Sequence, residues 1–105
     1  MSEFMIIFVT CSSEEEALGI ARSLVDERLA ACVNLLSPLR SIYRWEGKIW
    51  DENEWLLIIK TRRERFEELE KKVKVLHSYS VPEIIGLPIL EGSSSYLEWL
   101  EEMTK

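Results

Sequence analysis

Apolar residues recur along this chain in two rhythms, and the switches between them mark its elements. Phe4-Met5-Ile6-Ile7-Phe8-Val9 is continuously apolar and rich in branched and aromatic side chains, which at this length predicts a buried strand rather than a helix. At Ser12-Ser13-Glu14-Glu15-Glu16 the rhythm changes. Ser13 followed three residues on by Glu16 is a capping-box pattern, and three carboxylates in the first turn suit the positive end of a helix dipole. Ala17, Ile20, Ala21, Leu24 and Arg28 then keep helical spacing, predicting a helix over about 14–29.

The next stretch, Cys32–Trp45, reads as extended and bent by Pro38. Glu46-Gly47 is a two-residue turn signal that sets Trp45 opposite Lys48 in a hairpin, whose returning arm ends in the apolar run Trp55-Leu56-Leu57-Ile58-Ile59-Lys60-Thr61. Thr61 with Glu64 forms a second capping-box pattern, and Phe66, Leu69, Val73 and Leu76 make the stripe of a second helix. Glu67–Lys71, Glu68–Lys72 and Glu70–Lys74 are i,i+4 pairs of favourable polarity on its outer side. Val81-Pro82 must end any helix. Ile84-Ile85-Gly86-Leu87-Pro88-Ile89-Leu90 reads as a fourth strand, with Pro88 putting it at an edge or a strand end, and Gly92 with Ser93–Ser95 opens a short helix through Tyr96, Leu97 and Leu100. The order β-α-β-β-α-β plus a terminal helix predicts an α+β fold: a ferredoxin-like βαββαβ sandwich with an extended β-hairpin and a short carboxy-terminal helix, in one domain over 1–105.

In such a sandwich one sheet face packs on helices and the other meets water, so the strands should alternate apolar and polar. These do not. Trp55, Leu57 and Ile59 share one face while Leu56 and Ile58 share the other, the first strand is apolar on both parities, and Ile84 and Ile85 sit side by side. Each large aliphatic left in water forgoes about 1.5–3 kcal/mol of burial. One short helix cannot cover that face, so the pattern predicts a partner, most simply another copy of the chain. The hairpin over 39–55, carrying Tyr43, Trp45, Trp50 and Trp55, has the aromatic content of an arm that packs on a neighbour.

Composition narrows the function classes. The chain has 105 residues, room for one compact domain. Its 19 acidic against 13 basic residues give a net charge of −6, which argues against nucleic acid and against anionic membranes, both of which need clustered Lys and Arg. Met1-Ser2-Glu3-Phe4 lacks a basic leader region, and the apolar run behind it is too short for a secretory or membrane-spanning segment, so a cytoplasmic protein is expected. Cys11 and Cys32 form no CxxC and are expected as free thiols.

Candidate chemistry is sparse. Copper chaperones of ferredoxin-like fold carry a CxxC after the first strand, but here the run is Cys11-Ser12-Ser13-Glu14, and a lone thiol is a poor soft-metal site. Cys32, between Ala31 and Val33, reads first as a core residue. His77, the single histidine, either meets the terminal carbonyls of the second helix or pairs with Tyr79 or Glu83 as a metal ligand or general base. Glu54 and Lys60 share a strand parity roughly 20 Å apart, so they cannot pair within one chain. No nucleophile elbow, zincin, P-loop or dinucleotide motif is present.

Several runs together resemble a known family. Leu29-Ala30-Ala31-Cys32-Val33-Asn34, Ser41-Ile42-Tyr43-Arg44-Trp45-Glu46-Gly47, Glu54 with Ile59-Lys60-Thr61, and His77-Ser78-Tyr79 with Val81-Pro82-Glu83-Ile84 are similar, in order and spacing over about 5–100, to the divalent-cation-tolerance (CutA) proteins. The resemblance implies a homotrimer of ferredoxin-like subunits, a link to tolerance of copper and other divalent cations, and no catalysis. It implies Cu(II) or another divalent cation as a weakly held cofactor. By position it makes Cys32, His77, Tyr79 and Glu83 the metal or ligand candidates in a cleft between subunits, and Tyr43, Trp45, Glu54 and Lys60 the interface or cleft residues. Two departures stand out. The family's His-Pro-Tyr-Glu run reads His77-Ser78-Tyr79-Ser80 here, so a carboxylate is missing at Ser80, and Ser12-Ser13 replace a Pro followed by an acidic or amide residue. Acylphosphatases share the element order, but a small hydrolase of that type needs an Arg and a Gly-rich anion cradle where this chain has Glu14-Glu15-Glu16. An RNA-recognition module of the same topology lacks its basic, aromatic sheet motif here.

Overall fold

The structure, a computed structural model, describes residues 3–105; Met1 and Ser2 of the amino-terminal run lie outside the described residues. Strands β1 (Phe4–Cys11), β2 (Cys32–Trp45), β3 (Lys48–Arg62) and β4 (Ile84–Pro88) form one antiparallel sheet in the order β2-β3-β1-β4. Helices α1 (Glu14–Asp26) and α2 (Phe66–Leu76) follow β1 and β3, and α3 (Ser94–Met103) follows β4. This is the ferredoxin-like order the spacing predicts. Among the described residues, no helix is long and apolar enough to cross a membrane.

The register explains the doubled apolar pattern. Ile7, Val9 and Cys11 of β1 share a face with Leu57 and Ile59 of β3, and that face meets Ile20 and Leu24 of α1 and Leu69 and Val73 of α2 in the core. The opposite face carries Phe8, Ile58, Leu36, Ile85 and Leu87. There α3 covers one end only. Its Leu100 is fully buried, and Arg62 of β3 donates to the Thr104 carbonyl (2.6 Å) and hydroxyl (2.8 Å). Leu36, Ile85 and Leu87 remain 54%, 53% and 49% exposed.

Glu46 and Gly47 both take positive φ (50° and 76°), the twist a two-residue hairpin turn requires, and Trp45 pairs with Lys48 as expected. The long arms extend the molecule to 44 × 25 × 23 Å. Between Leu36 and Leu39, around Pro38, the β2–β3 register shifts.

Element boundaries depart from the sequence reading where tertiary partners intervene. Helix α1 stops at Asp26 rather than near 29 because Arg28 adopts φ 59°, and the amides of Arg28 and Leu29 turn back to the carbonyls of Val25 and Leu24. This is a Schellman closure without the usual glycine. Thr61 does not cap the second helix. Its hydroxyl lies on β3 and donates to the Leu29 carbonyl (2.6 Å), Glu64 pairs with Arg62, and α2 begins only after a 3-10 turn over Arg63–Arg65. The Glu68–Lys72 pair does not form either. Half-buried Lys72 reaches across to Glu27 at the end of α1 (2.8 Å), and Glu68 takes Arg65 (3.2 Å).

Candidate functional site

Two polar clusters meet at the loop between α2 and β4. The first lies behind the sheet end. Ser13 caps α1 by accepting from the Glu16 amide (3.2 Å), as its spacing predicts. The Glu16 side chain turns away from the cap to the loop, where Oε2 accepts from the Ser78 amide (3.1 Å) and Oε1 lies 3.4 Å from His77 Nδ1. His77 does not use its ring on the helix-terminal carbonyls. Its amide closes α2 on Val73, while the fully enclosed imidazole crosses to β1 and contacts the Thr10 carbonyl through Nε2 (2.7 Å). A carbonyl only accepts, so Nε2 carries the ring proton and Nδ1 is free to accept from the Tyr79 amide (3.1 Å). Cys11, fully buried, lies 3.8 Å from Nε2. Burial, and then the charges of Glu16 and Glu54, push its thiol up to about 12.

Cys11, Glu16 and His77 hold sulfur, oxygen and nitrogen atoms within 4.8 Å of one another, a donor set of the kind that suits zinc or copper. The arrangement does not fit an ion. Both imidazole nitrogens are engaged with backbone groups, and an ion would have to displace the proton of a buried thiol. An ion bound through either ring nitrogen would sacrifice that nitrogen's backbone bond. Only Glu16 Oε1, buried and without a hydrogen bond, is left over.

The second cluster opens to solvent. Along β3, Trp50, Glu52 and Glu54 fall on one face with Ser41 and Tyr43 of β2, and Tyr79 and Glu83 close the space from the loop. They line a cavity of about 630 Å³. Glu54 is only 5% exposed, and the Tyr79 hydroxyl donates to its Oε2 (2.7 Å). Tyr43 donates likewise to Glu52. That bond pushes the Tyr43 phenol up to about 12. Burial and the bond to Glu54 raise Tyr79, and burial with the Glu54 charge holds the Glu83 carboxyl above the usual carboxylate range. Both phenols therefore stay protonated donors at neutral pH. None of the lining residues is basic.

The structure brings Tyr43, Trp45, Glu54, Tyr79 and Glu83 to this one cavity. His77 stands behind it, its ring 4.7 Å from that of Tyr79. Cys32 and Lys60 pair with each other across β2 and β3, six residues along β3 from Glu54, and both reach Asn34. They do not join the cavity within one subunit. Thr10, Glu16 and Glu52 belong to the two clusters; Glu16 was read from sequence only as a capping-box residue, and Thr10 and Glu52 were not singled out. For Glu52 a signal existed, since Trp50, Glu52 and Glu54 alternate along one strand and must share a face. For Thr10 and Glu16 none did, because their partner His77 is more than 60 residues away.

The model of the CutA1 divalent ion tolerance family matches residues 5–103. A divalent-cation tolerance protein CutA of Thermus thermophilus is 52% identical over 99 residues, covering 94% of this chain and 96% of its own. The chloroplastic CutA of Arabidopsis thaliana is 46% identical across 96% of this chain, which spans 56% of that longer relative. Among solved structures, the Thermus thermophilus Cut A1 protein superposes with a TM-score of 0.95 at 50% identity, covering 97% of this chain and 99% of that one. CutA1 of Pyrococcus horikoshii gives 0.91 at 40%, covering 96% and 98%. Sequence match and fold agree over nearly the whole length, and the chain belongs to the CutA1 divalent ion tolerance family.

Proposed function

We propose that this protein is a homotrimeric, non-catalytic divalent-cation tolerance protein that holds its ligand in the cleft around Glu54, Tyr79 and Glu83. The observation that carries this reading is the cavity itself, which gathers three carboxylates and no basic side chain, with Glu54 almost completely withdrawn from water. A buried carboxylate flanked by two exposed ones favours a bound cation, since each charge raises the cost of its neighbour. Oxygen donors suit hard divalent ions and also accept Cu(II) and Zn(II). The assembly rests on the open sheet face, where Leu36, Ile85 and Leu87 have no covering element in the subunit. A neighbour is also what would bring Cys32 and Lys60 to a cleft.

Calorimetric titration with Cu(II), Zn(II) and Ni(II) tests the cation reading. A dissociation constant well below about 1 mM for at least one ion, weakened about tenfold in Glu54→Gln, is expected; binding no tighter than millimolar for all three defeats it. Light scattering tests the assembly, with three times the 12.3 kDa subunit mass expected and a folded 12.3 kDa species as the refuting result.

A further inference from the structure

The cavity is built for something larger than an ion. Cys11, Glu16 and His77 form the one group among the described residues whose ligand atoms all converge within 4.8 Å. Glu52, Glu54 and Glu83 do not converge on one point; they are spread along a space of about 630 Å³. Between them stand aromatic faces: Tyr43, Trp45, Trp50 and Tyr79. An aromatic face attracts a cation through its quadrupole, most strongly for tryptophan. The chain already shows this preference on the hairpin, where the Lys48 ammonium, outside the cavity lining, lies 5.2 Å from the Trp50 ring centre. On the floor, the Tyr79 hydroxyl donates to Glu54 Oε2, and Oε1, which is not among the buried unpartnered atoms, is free to accept from a ligand. The hairpin's own guanidinium groups are unavailable to fill it. Arg40 and Arg44 fall on the opposite face by register, and Arg40 is held by both oxygens of Asp51 (2.8 and 2.7 Å).

We infer that the cleft binds a small organic cation, a guanidinium or primary ammonium on an apolar stem, with the charged head against Glu54 and the stem along the Trp45–Trp50 wall. This deepens the reading of the same cleft as a cation site and rests on it. The planar guanidinium offers paired N–H donors to a carboxylate and a flat face to the indoles, which a hydrated metal ion does not. Glu83, set beside Glu54, adds the long-range attraction.

The test titrates the intact assembly with butylguanidinium and with N-butylurea, its neutral counterpart of the same shape, following tryptophan fluorescence and heat. Butylguanidinium is expected to bind and N-butylurea to bind at least about tenfold more weakly, as when a charge-assisted hydrogen bond is lost. Glu54→Gln should weaken butylguanidinium by about the same factor, with folding checked by circular dichroism. Trp45→Leu, on the exposed hairpin, should weaken butylguanidinium. Equal binding of the urea, no binding of butylguanidinium at about 10 mM, or isotherms unaltered by both substitutions would overturn the inference. Copper bound at Glu54 without butylguanidinium leaves the metal reading standing and removes this one. Butylguanidinium bound without any divalent ion does the reverse.

Discussion

The closed cluster at His77 and the open cavity at Glu54 are neighbours, joined through Tyr79, yet their polar groups are settled in opposite ways. His77 is fully enclosed and gives each ring nitrogen a backbone partner, one on β1 and one on its own loop. Glu54 lies at the base of a solvent-open cavity, with the Tyr79 hydroxyl on one carboxylate oxygen, and burial together with its charge raises Glu83 beside it. A side chain whose polar atoms are taken up by backbone groups holds structure, whereas a carboxylate beside a solvent-open cavity is free to take a ligand. The lesson here is that the residue most tempting as a metal ligand, the single histidine, is a clasp, and the chemistry lies one side chain further out.

Substitution of the two residues should separate these roles most sharply. His77→Ala removes two buried hydrogen bonds, leaves the Thr10 carbonyl unsatisfied and empties a space in the core, which costs about 2–4 kcal/mol. Glu54→Gln keeps an acceptor for the Tyr79 hydroxyl and relieves the repulsion with Glu83, so its stability should stay within about 1 kcal/mol of the parent. Denaturant midpoints measured at one fixed protein concentration, because assembly contributes, check both. Equal losses would erase the distinction.

How far the sequence carries this picture depends on where the information resides. Strands and helices are written in local spacing: Phe66, Leu69 and Val73 on α2, or Leu57 and Ile59 on β3, could face only one way, and the doubled apolar pattern announced the open sheet face. What failed were contacts decided by distant partners. Thr61 looks like a cap until Leu29 is brought beside it, Lys72 looks paired with Glu68 until α1 presents Glu27, and Arg28 closes α1 at a positive φ that side-chain identity does not advertise. The site divides in the same way. Tyr79, Glu83, Glu54, Tyr43 and Trp45 were nominated by family resemblance and share one cavity, whereas Cys32 and Lys60 lie elsewhere in the subunit. No spacing rule places Tyr79 against a residue 25 positions away.

Alkaline pH probes the closed cluster from a second side. The unfolded Cys11 thiol ionises near its ordinary 9.0, whereas in the fold it holds its proton to about 12. A folded value raised in this way contributes stability below pH 9 that is lost as pH rises toward 12, on the order of 2 kcal/mol between pH 8.5 and 11. The raised Tyr79 phenol acts in the same direction. Cys11→Ala should lower the midpoint at pH 8.5 and flatten its fall toward pH 11. An unchanged slope would mean the thiol is less enclosed than its position against His77 indicates.

The smallest effect concerns the one loose end inside the closed cluster. Glu16 Oε1 is buried with no hydrogen bond and faces His77 Nδ1, itself an acceptor engaged by the Tyr79 amide. If the ring proton sits on Nε2, as the Thr10 carbonyl requires, Glu16 gains nothing from Nδ1, and Glu16→Gln should be neutral or stabilising by up to about 1 kcal/mol. The amide keeps an oxygen for the Ser78 amide and removes a charge whose buried Oε1 has no partner. If instead the imidazole were charged and paired with the carboxylate, the same change would break a buried ion pair and cost about 3 kcal/mol or more. The two outcomes differ in sign, so one melting curve decides whether the clasp is held by neutral hydrogen bonds or by charge.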